Sequence, residues 1–67
     1  MYAIKNIRTG KWLYGTNFRR IPYWQMTSFE MALTEERLSE IKYQFTRRRC
    51  GKNYKIVKVK LSEVRDD

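Results

Sequence analysis

Residues 2–14 carry the strongest local folding signal in this chain, the segment YAIKNIRTGKWLY. Strand-like runs at residues 2–7 and 11–14 flank a short connection at residues 8–10. Glycine adopts a positive φ without steric cost, and a left-handed residue often follows a type I turn in a hairpin loop. The segment therefore predicts an antiparallel hairpin in which Gly10 has a positive φ.

The next part of the chain is interpreted as irregular. Residues 15–26, GTNFRRIPYWQM, predict a long loop, because Pro22 cannot contribute a backbone N–H to a central strand. Thr27 and Glu30 have the spacing of a capping box, which predicts one helical turn over residues 28–31. Residues 32–33 are then expected to run extended toward Thr34.

A single main helix is predicted to begin at Thr34. Threonine is a good N-cap, and Glu35 and Glu36 would place carboxylates near the positive end of the helix dipole. We expect the helix to end near Cys50, with Gly51 supplying a left-handed residue at its C-terminus.

Apolar residues recur in this helix at the spacing of one face. The buried stripe is predicted to consist of Leu38, Ile41 and Phe45. The solvated side is predicted to carry Glu36, Glu40, Tyr43 and Arg47.

The last regular element is predicted to be a strand over residues 54–61, YKIVKVKL, because apolar and basic residues alternate there. The alternation predicts that Val57, Val59 and Leu61 face the interior while Lys58 and Lys60 face solvent. We expect residues 63–67 to form an acidic, frayed tail.

These elements predict one small α+β domain over residues 1–62. Its antiparallel sheet is formed by the N-terminal hairpin and the C-terminal strand, and it packs against the main helix. Hydrophobic residues make up 42% of the 67-residue chain and aromatic residues 15%, which is too much apolar surface for a disordered chain.

Several function classes are disfavoured by composition. The chain has no histidine and one cysteine, so neither a metal site nor an internal disulfide is expected. Cys50 follows three arginines that would lower its pKa, but no general base accompanies it, and we expect neither an enzyme nor a cofactor. No membrane span or signal peptide is recognised, so a cytoplasmic, reducing setting is expected.

Basic charge is the main compositional indication of function. The net charge is +8 and the pI is about 10.0. Between Glu40 and Glu63 there are eight basic residues and no acidic one. Cations at a helix C-terminus have a structural explanation, as do lysines on an edge strand. One or two cations would satisfy the helix end, so the surplus favours an electropositive binding surface.

The loop preceding the helix combines aromatic and basic side chains. Such interleaving is typical of single-stranded nucleic-acid binding, where rings stack on bases and guanidinium groups meet phosphates. Loop aromatics that simply cover a small core, and protein-interface hot spots, have the same composition. The residues concerned are Tyr14, Phe18, Arg19, Arg20, Tyr23 and Trp24.

The N-terminal pattern Tyr-x-Ile-x-Asn-x-x-Thr-Gly-Lys-Trp-Leu resembles the start of small uncharacterised proteins encoded by bacteriophages and prophages of Gram-positive bacteria. In those proteins a hairpin is followed by a loop, a helix that begins with acidic residues, and a valine-rich last strand. The resemblance implies a phage-borne accessory protein that acts in the host cytoplasm, and it brings no functional residues with it.

Two functions are predicted from these observations. The first is binding of DNA or RNA through the basic surface with aromatic support. The second is that of an inhibitor or adaptor that binds an acidic surface of a host protein. The candidate binding residues are Arg19, Arg20, Tyr23, Trp24, Arg47, Arg48, Arg49, Lys52 and Lys55.

Overall fold

The computed structural model describes residues 1–60 and confirms the predicted α+β class. Leu61 and the predicted acidic tail lie outside the described residues. The elements, in chain order, are β1 (Tyr2–Asn6), β2 (Trp12–Asn17), β3 (Trp24–Ser28), β4 (Thr34–Glu35), α1 (Leu38–Arg47) and β5 (Tyr54–Lys58).

Strand β1 is the centre of a five-stranded antiparallel sheet. Along one edge it pairs with β5 over its whole length. The other edge is shared, because β4 pairs with Tyr2 and Ala3 while β2 pairs at Lys5. Strand β3 then adds to the outer edge of β2. The first and last elements of the described chain are therefore neighbours.

The core lies between the sheet and α1. Ile4, Leu13 and Ile41 are fully buried, and Cys50 is buried beside them. Partly buried side chains pack against these four, namely Tyr2, Phe45, Tyr54 and Ile56. Ile41 and Phe45 thus confirm most of the predicted helix stripe. Leu38, the first residue of α1, is 41% exposed and does not belong to the core.

The predicted inward face of the last strand is wrong. Tyr54 and Ile56 pack on the core, and the strand ends at Lys58. Ile56 pairs directly with Ile4, so the two side chains share the face that α1 covers. Val57 pairs with Ala3 on the opposite face and is only half-buried. Lys58 is exposed at the strand end, although alternation places it on the same face as Ile56.

The helix begins later than predicted. Thr34 and Glu35 form β4 against β1 instead of the first turn of a helix. The N-cap of α1 is Arg37, whose side chain makes no capping hydrogen bond. Thr34 is β-branched, and its backbone pairs in the sheet beside Ala3, so tertiary pairing overrides the local capping signal.

The irregular loop predicted for residues 15–26 is also wrong, because β2 and β3 form a second hairpin there. The ladder runs to the pair Asn17–Trp24, and a register shift between Leu13 and Gly15 marks a β-bulge. Pro22 lies in the connecting loop, residues 18–23, where no ladder hydrogen bond is required of it.

No helical turn forms over residues 28–31. Thr27 and Ser28 belong to β3, and the Ser28 hydroxyl oxygen accepts hydrogen bonds from the backbone N–H groups of Glu30 and Met31. Ser28 therefore closes a turn with these donors, where the spacing of Thr27 and Glu30 predicts a capping box.

The first hairpin agrees with the prediction. Gly10 has a φ of +79°, and its N–H donates to the carbonyl oxygen of Asn6. The loop between β1 and β2 spans residues 7–11, two residues more than predicted, and the Asn6 N–H donates to the carbonyl oxygen of Lys11. The Asn6 side-chain oxygen also accepts from the N–H groups of Arg8 and Thr9, which closes the turn locally.

Candidate nucleic-acid interface

The C-terminus of α1 is a Schellman motif built on an arginine. Arg49 has a φ of +53°, in the left-handed region, and its N–H donates to the carbonyl oxygen of Thr46 at 3.1 Å. The N–H of Cys50 donates to the carbonyl oxygen of Phe45 at 3.3 Å. Both side chains of this second pair lie at the core, which is the apolar contact that accompanies the motif.

Gly51 was predicted to terminate the helix, and it does have a positive φ of +78°. The left-handed residue that ends α1 is nevertheless Arg49, two positions earlier. Arg47 is the last helical residue and Arg48 is the C-cap. The three arginines predicted to fill the last turn therefore occupy three different backbone environments.

Side chains of these arginines cover the aromatic rings of the β2–β3 loop. The guanidinium carbons of Arg47 and Arg48 lie 4.8 Å and 5.7 Å from the ring centroid of Phe18. That of Arg49 lies 5.1 Å from the ring centroid of Tyr23. The two rings meet edge to face with centroids 4.9 Å apart. These five residues form what we call the arginine–aromatic cluster, and they join the two segments that the sequence marked separately.

Arg48 ties the helix end to the second hairpin. Its Nη1 donates to the Thr16 hydroxyl oxygen at 2.9 Å, and its Nε donates to Oε1 of Gln44 at 3.1 Å. The carbonyl oxygen of Arg48 accepts from Nε2 of Gln25 at 2.6 Å, and the Thr16 hydroxyl donates to Oε1 of the same glutamine. Arg48 is half-buried, so it positions the cluster, whereas Arg47 and Arg49 are exposed.

The tip of the β2–β3 loop carries further exposed groups. Arg19 and Arg20 are exposed, and the guanidinium carbon of Arg20 lies 5.4 Å from the ring of Trp24. Trp24 is 58% exposed. Gln25 faces the helix end, so strand alternation places its neighbour Trp24 on the other face of the hairpin.

Lys52 and Lys55 are exposed but are not shown in contact with the cluster. Lys55 pairs with Lys5 in the sheet, between Tyr54 and Ile56, and so faces away from α1. The predicted site residues therefore fall into three groups: the cluster with Tyr23, the loop tip with Arg19, Arg20 and Trp24, and the separate lysines.

Three residues central to this arrangement were not among the predicted site residues. Phe18 is predicted only as one of the aromatic residues of the loop, and no sequence pattern marks Thr16 or Gln25. Asn17 offered a usable signal, since its side-chain oxygen accepts from the N–H of Arg19 just as Asn6 does in the first hairpin. A second asparagine turn would have predicted a second hairpin.

Cys50 is not an activated thiol. Burial in the core raises its pKa to about 11, and the opposing effect of the neighbouring Arg48 charge is smaller. The suggestion that the arginines would lower this pKa is therefore wrong, because desolvation disfavours the thiolate more than the guanidinium stabilises it.

The charge on the described chain is polarised along α1. At the N-terminal end, Glu35, Glu36 and Glu40 line an open groove together with Arg37. At the C-terminal end the arginines follow one another, and residues 41–60 contain no acidic side chain. An anionic ligand would therefore be attracted to the helix C-terminus with its arginine–aromatic cluster and repelled from the other end.

No family model, curated protein or solved structure matches this chain. Among residues 1–60, no helix has the length and apolar character needed to cross a membrane. The same residues contain no grouping of three or more histidine, cysteine or acidic side chains that would hold a metal ion.

Proposed function

We propose that this protein binds nucleic acid through the arginine–aromatic cluster, with Arg19 and Arg20 extending the surface. The observation that carries the proposal is that three consecutive arginines place their guanidinium groups over the rings of Phe18 and Tyr23, with Arg47 and Arg49 exposed. A guanidinium group that stacks by its face keeps N–H donors at its edge, and these suit the oxygens of a phosphate.

The backbone of Arg49 argues against a purely structural role for the cluster. Its left-handed conformation costs an L-residue about 1–2 kcal/mol, and glycine is the usual occupant of this position. Arg47 and Arg48, which precede Arg49, already place positive charge at the negative end of the helix dipole. A third arginine in a strained conformation is explained by a ligand that needs its charge.

Ring stacking by this protein is expected at Trp24 and not at the clustered aromatics. The guanidinium groups of Arg47 and Arg48 lie over Phe18, and that of Arg49 lies over Tyr23. Those rings therefore serve to orient the arginines. Trp24 is more exposed and has one arginine near it, so it is better placed to meet a base.

The alternative partner is an acidic surface on a host protein. The exposed Trp24 and Ile21, set among arginines, have the composition of an interface hot spot. In either case the resemblance to phage proteins supports action in the cytoplasm of a bacterial host.

Salt-dependent binding tests the proposal. The double variant Arg47→Gln/Arg49→Gln removes two exposed charges and leaves the positioning residue Arg48 in place. Binding of fluorescent DNA should weaken alike for unrelated sequences. The slope of log affinity against log salt should shrink by about 1.4 for single strands or about 1.8 for duplex.

The matched control is Arg8→Gln/Lys42→Gln, which removes the same charge from exposed positions outside the cluster. We expect this control to change the slope much less. Equal changes from both double variants would show that only net charge matters. An absence of salt-dependent binding by the native protein at low ionic strength would reject the proposal in favour of a protein partner.

A further inference from the structure

The β2–β3 loop presents one aliphatic side chain that the fold does not use. Ile21 is 90% exposed, the most exposed of the large hydrophobic residues in the described chain. Burying an isoleucine side chain stabilises a fold through the hydrophobic effect, so leaving it in water forgoes that stabilisation. The arginines at positions 19 and 20 precede it directly, and Pro22 follows it.

This loop projects from the sheet. Backbone contact between β2 and its inner neighbours ends at Leu13, whose carbonyl oxygen accepts from the N–H of Leu33. The β2–β3 ladder continues to the pair Asn17–Trp24. Four residues of strand at ~3.3 Å each carry the loop about 13 Å further. The tip is thus a two-stranded ribbon end that can enter a groove.

The base of the loop is held rigidly enough to support its tip. Phe18 and Tyr23 begin and end the loop and contact each other, and the guanidinium groups of Arg47 and Arg49 lie over the two rings. Pro22 fixes its own φ within the loop. An ordered tip loses little conformational entropy on binding, so the Ile21 side chain is already held in position to contact a ligand.

We propose that this loop enters the minor groove of duplex DNA and that Ile21 wedges between base pairs. This inference rests on the proposed function. Proteins that bend DNA through the minor groove insert apolar side chains such as isoleucine or proline and kink the duplex by about 20–90°. Arg19 and Arg20 meet the negative potential of the groove, while Arg47 and Arg49 contact the flanking phosphates.

Duplex DNA fits this surface better than the other nucleic acids. A-form RNA has a wide, shallow minor groove that a narrow wedge would not fill. A single strand would be held chiefly by a run of bases stacked on aromatic faces. The clustered rings already lie under guanidinium groups, and the exposed Trp24 would hold one base, not a run of them. An isoleucine offers no planar face for such stacking, but it does fill the gap opened at a kinked step.

Bending and binding are to be measured on the same complex. The probe is a mixed-sequence DNA duplex of about 30 base pairs, with a donor dye at one end and an acceptor at the other. The native protein should raise energy transfer as it binds. Ile21→Ser should still bind with an unchanged salt slope, but with several-fold lower affinity and without the rise in energy transfer.

Ile7→Ser is the matched control, because Ile7 is an exposed isoleucine in the loop of the other hairpin. It should bind and bend DNA like the native protein. A duplex RNA of the same length should show weaker binding and no change in energy transfer.

The failures of the two proposals are distinguishable. Native protein that binds duplex DNA without raising energy transfer overturns the wedge and leaves nucleic-acid binding standing. So does bending that survives Ile21→Ser, or a clear preference for single strands. If the native protein binds no nucleic acid at low salt, both proposals fail together and the tip is assigned to a protein partner.

Discussion

The two hairpins of this protein begin alike and are held in different ways. Each has an asparagine at the end of its first strand, Asn6 or Asn17, whose side-chain oxygen accepts a backbone N–H two residues later. The first loop is closed mainly by its own residues, with Gly10 in the left-handed region. The second is longer, and its flanking aromatics depend on arginines that follow more than twenty residues later in the chain.

This difference separates a structural turn from a surface that depends on tertiary contacts. The first loop is held mainly by hydrogen bonds among its own residues, with one backbone hydrogen bond from the Ile7 N–H to the carbonyl oxygen of Asn53. The second loop and the end of α1 define each other, so a change in either should alter the electropositive surface. Variants that affect both hairpins, the first hairpin or the second hairpin test this distinction between the two loops.

The largest effect is expected for Leu13→Ala. Leu13 is fully buried and lies on β2, the strand that both hairpins share. Truncation should lower the free energy of unfolding by about 2–5 kcal/mol, a large part of the stability of so small a domain. Chemical denaturation measures it, with Tyr43→Ala as an exposed control. Similar small losses in both variants would show that the core has been placed wrongly.

The next largest effect is expected for Gly10→Val, which affects only the first hairpin. A Cβ at this position meets no atom within 4 Å, so the cost is that of the backbone conformation alone. We expect about 1–3 kcal/mol for a β-branched residue at a positive φ. Asparagine tolerates this region, so Gly10→Asn should cost less. DNA binding by the folded Gly10→Val protein should match the native affinity, and a loss of affinity would contradict the division between the two loops.

Arg48→Lys affects the second hairpin and the end of α1 that packs on it, leaves the first hairpin intact, and conserves charge. Lysine cannot reproduce the forked hydrogen bonds to Thr16 and Gln44, so we expect a loss of about 1–2 kcal/mol. Hydrogen exchange should accelerate at residues 16–17 and 24–25 while residues 5–6 and 11–12 keep their protection. Uniform acceleration across both hairpins would show that Arg48 supports the whole fold and not one loop. Arg47→Lys is the control at an exposed position.

The smallest effect on stability, with the opposite sign, is expected for Arg49→Gly. Glycine relieves the left-handed backbone, but it raises the entropy of the unfolded chain and loses the contact with Tyr23. The net change should lie between zero and a gain of about 1 kcal/mol. DNA affinity should fall nonetheless. A clear loss of stability would mean that Arg49 is there to hold the fold together.

The sequence predicted those parts of the fold whose cause is local. Gly10 marked its own turn, and Ile41 and Phe45 marked the buried side of α1 by their spacing. Thr34 misled because the cap preference of threonine is weaker than its pairing with β1. Pro22 misled because a proline prevents strand pairing only at its own position. Strand β2 ends before Pro22 and β3 begins after it.

The sequence predicted which residue types belong to the candidate site, but not how they pack against one another. Arg47, Arg49 and Tyr23 were marked by charge and aromaticity, yet nothing in their spacing showed that the helix end would pack on the loop. That contact depends on the Thr16, Gln25 and Arg48 network, which joins residues far apart in sequence. Lys55 was grouped with the arginines by proximity along the chain, and strand alternation turned it to the other face.

The pairing of β1 with β5 determines when this fold can form during translation. The central strand is made early, but the partner that covers one whole edge of it, residues 54–58, emerges about fifty residues later. Until then that edge of β1 is open and Ile56 is missing from the core. We therefore expect stalled nascent chains that expose fewer than about 58 residues outside the exit tunnel to be sensitive to protease. Protection should appear in one step once β5 is free to pair, so this domain is completed only after most of it has been translated.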